Sequence, residues 1–251
     1  MPDVYSIHLA ETDSTNRYLL DAYRAAADDA PLRKAEVVVV RADFQTAGRG
    51  QGSNRWASEQ GKNLLCSILM QPRGVMAAQQ YILSMAGALA LFDVLKPLGE
   101  GFTLKWPNDV YWHDSKLSGT LIETTLKGSC IEACIFGIGL NVNQQHFPAD
   151  VPNPVSLRHI VGVDTDVCHW LDSIVTAFRQ RMDAVNSGAY AALRADYHAA
   201  LYRRTGTHAY RDSQGIFRAT MQGVADDGHL LLRDTEGTLR RYAVKEVEYI
   251  L

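Results

Sequence analysis

The sequence predicts an α+β fold, because its helical segments stand beside a run of neighbouring strands and do not alternate strictly with them. Short apolar runs rich in β-branched residues, such as 37–40, indicate buried strands. Segments with apolar residues at helical spacing, such as 166–185, indicate helices. We therefore expect a mixed or antiparallel sheet packed with helices, followed by a small β unit.

The first two hundred residues are expected to form several strands and helices. Ser14 offers its hydroxyl as the N-cap of a first helix, after an opening strand at 4–9. A glycine-rich loop at 46–61 separates two strands, and Gly99 and Gly101 end the long apolar helix. The other expected strands are 36–41, 63–70, 102–105, 110–112, 121–125 and 131–138, and the later helices are 75–95, 156–162, 166–185 and 189–203.

Composition changes near Thr205, where short strands separated by turn signals begin. These signals lie at 212–215, 226–228 and 235–237. Such spacing predicts a small β-barrel of about 45 residues, close to the lower size for independent stability. We expect two domains, 1–204 and 205–251, with the second supported by the first.

Composition limits the classes of protein that the chain can belong to. Hydrophobic residues make up 47% and charged residues 21%, which is typical of soluble globular proteins. A net charge of −3 argues against DNA binding. The longest apolar stretch is too mixed for a membrane span, and the N-terminus shows no secretory signal. The four cysteines form no CxxC pair, so we expect reduced thiols in a cytoplasmic protein.

Two segments of the N-terminal half carry candidate binding residues. Residues 12–16, Thr-Asp-Ser-Thr-Asn, are typical of a helix cap, or of a site for a compact polar ligand. In the segment 45–56, alternating glycines let backbone amides approach an anion. Arg49 and Arg55 add charge for a phosphate, and Trp56 adds a flat apolar face. The pattern matches neither GxGxxG nor a P-loop, and a surface loop is the alternative.

Two further motifs follow, at 105–119 and 137–143. In Lys-Trp-Pro-Asn-Asp at 105–109, Asp109 is a candidate Mg²⁺ ligand through its oxygens. Lys116, in the Lys-Leu-Ser-Gly segment that follows, could neutralise a developing negative charge. A hairpin with solvated charges is the alternative. Glycines at 137 and 139 indicate close approach of a ligand or of another backbone, and Asn141 could bind adenine or phosphate.

Together, in this order and spacing, these motifs resemble the biotin protein ligases, or holocarboxylase synthetases. The resemblance covers about 6–143 and implies a class II synthetase-like catalytic domain with a C-terminal SH3-like barrel. It implies an enzyme that uses ATP with Mg²⁺ to adenylate biotin and transfers the biotin to one lysine of a biotin carboxyl carrier protein. Because the motifs begin at Thr12, we expect the ligase-only form without a DNA-binding domain.

The resemblance also implies a role for each matching residue. Expected catalytic residues are Lys116, Arg49 and Asp109. Expected biotin-binding residues are Ser14, Thr15, Asn16, Gln45, Arg49, Gly50, Gln51, Trp56, Lys116, Gly119, Leu121 and Gly137. Expected nucleotide-binding residues are Arg55, Trp56, Asn108, Asp109 and Asn141, with Asp109 the one candidate Mg²⁺ ligand and no tightly bound metal. Lys105 belongs to the signature without an assigned role.

One departure from the family pattern concerns the phosphate loop. Many relatives have arginine where this chain has Gln51, and we hypothesise that Arg49 or Arg55 compensates. Without compensation, biotinyl-AMP should escape from the enzyme.

Two alternatives to a biotin ligase remain at this stage. A lipoate or octanoate ligase would share the fold but usually has an Arg-Arg-x-Ser-Gly-Gly-Gly loop. A non-catalytic biotin sensor would need neither Asp109 nor the phosphate-facing cations. The sequence leaves open whether the chain forms a homodimer and which carboxylase it serves.

Overall fold

The expected α+β architecture is confirmed by a computed structural model, which describes residues 4–52 and 54–251. Seven strands form one mixed sheet in the order β1-β2-β3-β7-β6-β5-β4, in which β1 and β2 are parallel and the other neighbours antiparallel. These strands are β1 Val4–Thr12, β2 Val37–Gln45, β3 Leu64–Met70, β4 Phe102–Lys105, β5 Asp109–Trp112, β6 Ser115–Lys127 and β7 Cys130–Leu140. The helices are α1 Thr15–Ala25, α2 Pro31–Lys34, α3 Tyr81–Leu95, α4 Leu157–Val161, α5 Val167–Asn186 and α6 Tyr190–Ala200.

Both faces of the sheet are covered, which explains the run of valines in β2. Val37 and Val39 belong to the larger core with α3 and α5, whereas Val38 and Val40 face the smaller core with α1. Successive strand residues point to opposite faces, so a strand buried on both sides needs a continuous apolar run. The segment Tyr81–Leu98 is apolar and long enough to cross a membrane, but most of α3 is buried in the larger core.

The last strands form a separate antiparallel sheet, as the turn signals predict. The strands are β8 Thr207–Asp212, β9 Gly215–Val224, β10 Leu230–Asp234, β11 Leu239–Tyr242 and β12 Glu248–Tyr249, in the order β11-β10-β9-β8-β12. Among the described residues the two outer strands are not paired, so the sheet is open and a closed barrel stays a prediction. The domain boundary also stays a prediction.

The C-terminal sheet packs against the larger core. The Trp106 indole donates to the Gly228 carbonyl at 2.9 Å, and the backbone amide of Val224 donates to His198 Nε2 at 3.2 Å. Buried side chains of β8 to β10 belong to the same apolar cluster as α3. This agrees with the expectation that the small unit is supported by the large one.

Several boundaries differ from those expected. Helix α3 begins at Tyr81 and not at Val75, because the backbone near Val75 pairs with the start of β7: Ile131 N donates to Val75 O at 2.9 Å. Strand β6 begins at Ser115, so the Lys-Leu-Ser-Gly segment lies within a strand. Ser14 occupies the N-cap position of α1, but its side chain makes no capping hydrogen bond there, so the expected hydroxyl cap was wrong.

Candidate active site

A cavity of about 660 Å³ opens where the ends of β2, β6 and β7 meet the N-terminus of α1. All the residues expected to bind biotin or nucleotide, or to take part in catalysis, line it. They are Ser14, Thr15, Asn16, Gln45, Arg49, Gly50, Gln51, Arg55, Trp56, Asn108, Asp109, Lys116, Gly119, Leu121, Gly137 and Asn141. Four separated segments of the sequence therefore share one concave site.

Glycines form part of the cavity floor because other side chains cross β6 and β7 at close range. Gly119 pairs with Gly139, and Leu121 pairs with Gly137. A Cβ at Gly139 would overlap the Trp56 indole, and one at Gly137 would overlap the Asn16 amide. These positions therefore require glycine.

The glycine-arginine loop folds back on itself and inserts Trp56 into the cavity. Gly50 N donates to Asn54 O at 2.8 Å, and Trp56 N donates to Gly48 O at 3.0 Å. Arg49 and Arg55 are backbone-bridged neighbours in this hairpin. Buried by its packing on the glycine floor, the Trp56 indole N–H has no hydrogen-bond partner within the described residues.

A buried polar network surrounds the start of α1. Gln45 Oε1 accepts from the Thr15 amide at 2.8 Å and from the Thr15 hydroxyl at 3.1 Å. The Ser67 hydroxyl lies 2.8 Å from Thr15 Oγ1 and 2.6 Å from Asn16 Oδ1. Because burying polar groups without partners is costly, a network that also lines a cavity is suited to a compact polar ligand. The arrangement favours the ligand-site interpretation of residues 12–16.

A lysine and a carboxylate form the opposite side of the cavity. Lys116 Nζ lies 2.7 Å from Asp109 Oδ2, and both side chains are partly exposed. The ammonium lies 5.9 Å from the centre of the Trp56 ring. An ammonium group has three donors, so Lys116 can bind an anionic ligand while it keeps Asp109.

The two asparagines of the nucleotide side also support the walls. Asn141 Nδ2 donates to the Val155 carbonyl at 2.9 Å, and Asn108 Nδ2 donates to the Ser84 hydroxyl at 3.3 Å. Each amide keeps its oxygen as an acceptor.

Lys105 does not line the cavity, unlike Pro107, Asn108 and Asp109 of the same motif. Its ammonium donates to the Tyr111 hydroxyl at 3.0 Å and lies 5.0 Å from the centre of the Tyr249 ring. Burial lowers the pKa of Lys105. The Lys105 side chain therefore connects the seven-stranded sheet to the C-terminal sheet.

Sequence reasoning missed two parts of the site, of which only the second lines the cavity. Glu123 bonds to two of the expected site residues, Asn16 and Arg49. Residues 119, 121 and 123 share one face of β6, so strand parity could have identified it. The other part comprises Phe147, Pro148, Asp150, Val151, Pro152 and Pro154, which show no motif.

The acidic residues are few for a resident metal. No group of three or more His, Cys, Asp or Glu side chains that could hold a metal ion occurs in residues 4–52 and 54–251. Mg²⁺ commonly uses one or two carboxylates together with substrate phosphates. Asp109, which keeps one oxygen free of Lys116, fits a magnesium ion that arrives with a nucleotide.

Comparison with known proteins identifies the family of this chain. The family model "Biotin/lipoate A/B protein ligase family" matches residues 9–141. The chain belongs to this family, and the match contains all the motifs singled out above.

Individual relatives agree with this assignment. The Paracoccus denitrificans protein named "Biotin--[acetyl-CoA-carboxylase] ligase" is 32% identical over 246 residues, which cover 91% of this chain and 94% of that protein. "Bifunctional ligase/repressor BirA" of Bacillus subtilis is 28% identical, and the match covers 96% of this chain and 74% of that protein. The solved structure "Biotin protein ligase from Aquifex aeolicus in complex with biotin and ATP" has a TM-score of 0.76 at 25% identity, covering 98% and 99% of the two chains.

Proposed function

We propose that this protein is a biotin protein ligase, which attaches biotin to a lysine of a carboxylase carrier domain in an ATP-dependent reaction through biotinyl-AMP. The observation that carries the proposal is that one cavity joins the buried polar network of α1 to the Lys116–Asp109 pair and the arginine loop. A buried amide-like ring and a phosphate can bind side by side there. The named relatives support biotin over lipoate.

The α1 side of the cavity suits the ureido ring of biotin. That ring has one oxygen that accepts hydrogen bonds and two N–H groups that donate them, and a buried ligand needs a partner for each. The Ser14 hydroxyl can donate, and the Thr15 hydroxyl can donate once it turns away from Gln45, which frees a lone pair on that amide oxygen. Asn16 carries a further amide oxygen that can accept. The rest of the molecule can occupy the part of the cavity beside Leu121 that Trp56 and Asn16 leave open.

In the first step, an oxygen of the biotin carboxylate attacks the α-phosphorus of ATP. The bond between this phosphorus and the oxygen that bridges to the β-phosphate breaks, and pyrophosphate leaves. Lys116 and Arg49 offset the negative charge that crowds the site. Magnesium carried by the nucleotide, with Asp109 as its protein ligand, would offset phosphate charge further.

In the second step, the carrier lysine amine attacks the acyl carbon of biotinyl-AMP. An amide bond forms, the bond to the phosphate oxygen breaks, and AMP leaves. A free lysine has a pKa of about 10.4, so its ammonium must lose a proton before attack. Trp56 and the glycine-arginine loop line the cavity, and by excluding water they would limit hydrolysis of the reactive acyl-adenylate.

We also infer the finer properties that the family resemblance implies. The partner is a biotin carboxyl carrier domain, and the C-terminal sheet corresponds to an SH3-like unit. The protein acts in the cytoplasm without binding DNA or a membrane. Whether the protein forms a homodimer is a separate question, which its mass in solution by light scattering answers.

Pyrophosphate exchange into ATP tests the function directly. The purified protein is assayed with biotin, with lipoate or with neither. Exchange that requires biotin supports the first half-reaction, and biotinylation of a carrier domain then completes the test. Exchange with lipoate alone would move the protein to the lipoate ligases, and biotin binding without exchange would make it a sensor.

A further inference from the structure

Glu123 does not itself line the cavity, but its carboxylate contacts a lining side chain in each half of it. Its Oε2 accepts from Asn16 Nδ2 at 2.8 Å, and its Oε1 lies 3.4 Å from Arg49 Nη1. The Glu123 side chain is 25% exposed, whereas that of Arg49 is 48% exposed. One carboxylate therefore contacts a residue of the polar network and a residue of the glycine-arginine loop.

The contact with Glu123 fixes which way the Asn16 amide faces. An ionised carboxylate only accepts hydrogen bonds, so the NH₂ end of the amide must point to Glu123. The same NH₂ group donates to the Leu121 carbonyl at 3.3 Å, and the amide oxygen accepts from the Ser67 hydroxyl at 2.6 Å. This orientation directs the oxygen toward Gly137 and leaves it a lone pair for an N–H donor. Asn16 can then serve as an acceptor and not as a donor.

The contact with Arg49 is weaker and can be exchanged. A half-exposed ion pair at 3.4 Å contributes little to stability. A phosphate binds arginine through two parallel hydrogen bonds, which are stronger. Binding of the adenylate would therefore draw Arg49 away from Glu123.

We propose that Glu123 is a positioning residue with two functions: it orients Asn16 to accept from the ligand, and it holds Arg49 until a phosphate replaces it. The proposal rests on the proposed function. The carboxylate thereby connects the polar network around α1 with the glycine-arginine loop, because it contacts Asn16 in the first and Arg49 in the second. The contact with Arg49 needs the negative charge of the carboxylate, whereas the contact with Asn16 needs only an oxygen that accepts a hydrogen bond.

Two substitutions separate these functions. Glu123→Gln keeps an oxygen that can accept from Asn16 but loses the charge that competes for Arg49, so we expect the KM for ATP to fall about two- to fivefold with the KM for biotin nearly unchanged. Glu123→Ala also removes the acceptor, so we expect the KM for biotin to rise about tenfold or more. Both constants come from pyrophosphate exchange.

The matched control is Glu132→Gln, which removes the charge of another Glu–Arg contact, at 3.7 Å to Arg33, outside the cavity. It should leave both constants unchanged, and thermal melting checks that every variant is folded. Equal effects of Glu123→Gln and Glu123→Ala on biotin, or a rise in the KM for ATP with Glu123→Gln, would overturn the proposal. Pyrophosphate exchange by the wild-type protein tests the proposed function separately. The role of Glu123 is tested only by the ratio of each variant's KM values to those of the wild type.

Discussion

The Lys116 ammonium and the Asp109 carboxylate form an ion pair of 2.7 Å on neighbouring strands at the edge of the cavity. The ion pair holds the Lys116 ammonium group at the edge of the cavity before any substrate binds. We predict that Lys116→Gln lowers biotin-dependent pyrophosphate exchange about a hundredfold or more, as loss of one charge-stabilising donor commonly does. Lys127→Gln, at the exposed end of the same strand, is the control. Exchange by Lys116→Gln within threefold of wild type would exclude a catalytic role for this lysine.

Gln51 carries no charge, so we expect retention of the adenylate to depend on the nearby arginines of the loop. Arg49 already binds the phosphate in the proposed reaction, so Arg55 is the further cation to test. We predict that Arg55→Gln accelerates release of biotinyl-AMP about tenfold, because a hydrogen bond to a charged group is lost. Adding Gln51→Arg to that variant should restore retention. Release is measured by separating bound from free adenylate, and an unchanged rate in Arg55→Gln means that this residue does not compensate.

The Lys-Trp-Pro-Asn-Asp turn is held by a buried hydroxyl. Tyr197 donates to the Pro107 carbonyl at 2.6 Å, and Tyr81 lies 3.3 Å from the same oxygen. We predict that Tyr197→Phe lowers the free energy of unfolding by about 1 kcal/mol, or about 2–4 °C in Tm, and also raises the KM for ATP. Tyr190→Phe, on the same helix, serves as the control. A stability loss with an unchanged KM would limit Tyr197 to a structural role.

The C-terminal sheet contains a pH-dependent contact. The Tyr242 hydroxyl donates to Asp212 at 2.7 Å, and this hydrogen bond is the largest cause of the lowered pKa of Asp212. A lowered carboxyl pKa stabilises the fold above the unfolded value of about 3.9, and this stabilisation is lost as the pH falls through the folded pKa.

We therefore predict that Asp212→Asn lowers the Tm by about 2–4 °C at pH 7 and that the difference shrinks toward pH 3. Melting curves at pH 7, 5 and 3 measure this. Asp226→Asn is the control, since its side chain is 80% exposed. A difference from wild type that stays constant between pH 7 and pH 3 would contradict the assignment.

Much of the fold and most of the site could be predicted from the sequence. The β-branched run of β2 and the turn signals of the C-terminal sheet report local geometry, which is encoded by neighbouring residues. The site residues were found because their motifs recur in a family, and the structure brings all of them to one cavity.

The remaining features depend on contacts between distant parts of the chain. Lys105 lies in the signature motif, yet it faces Tyr111 and Tyr249, which no local pattern predicts. Strand parity places Glu123 on the face of Gly119 and Leu121, but its contact with α1 follows only from the register of β6 against β7. Ser14 looked like a cap because its local sequence is that of a cap, although its side chain makes no capping bond.

The distance along the chain between Asn16 and Glu123, 107 residues, has a consequence for folding. A second contact of this kind, between Trp106 and Gly228, spans 122 residues. Closing such long loops costs entropy before the contact is gained, and chains rich in distant contacts fold slowly. We therefore expect ligand affinity to appear late in folding, and a nascent chain that does not yet include Gly228 lacks the hydrogen bond from Trp106. Recovery of biotin binding after dilution from denaturant should lag behind recovery of helical circular dichroism.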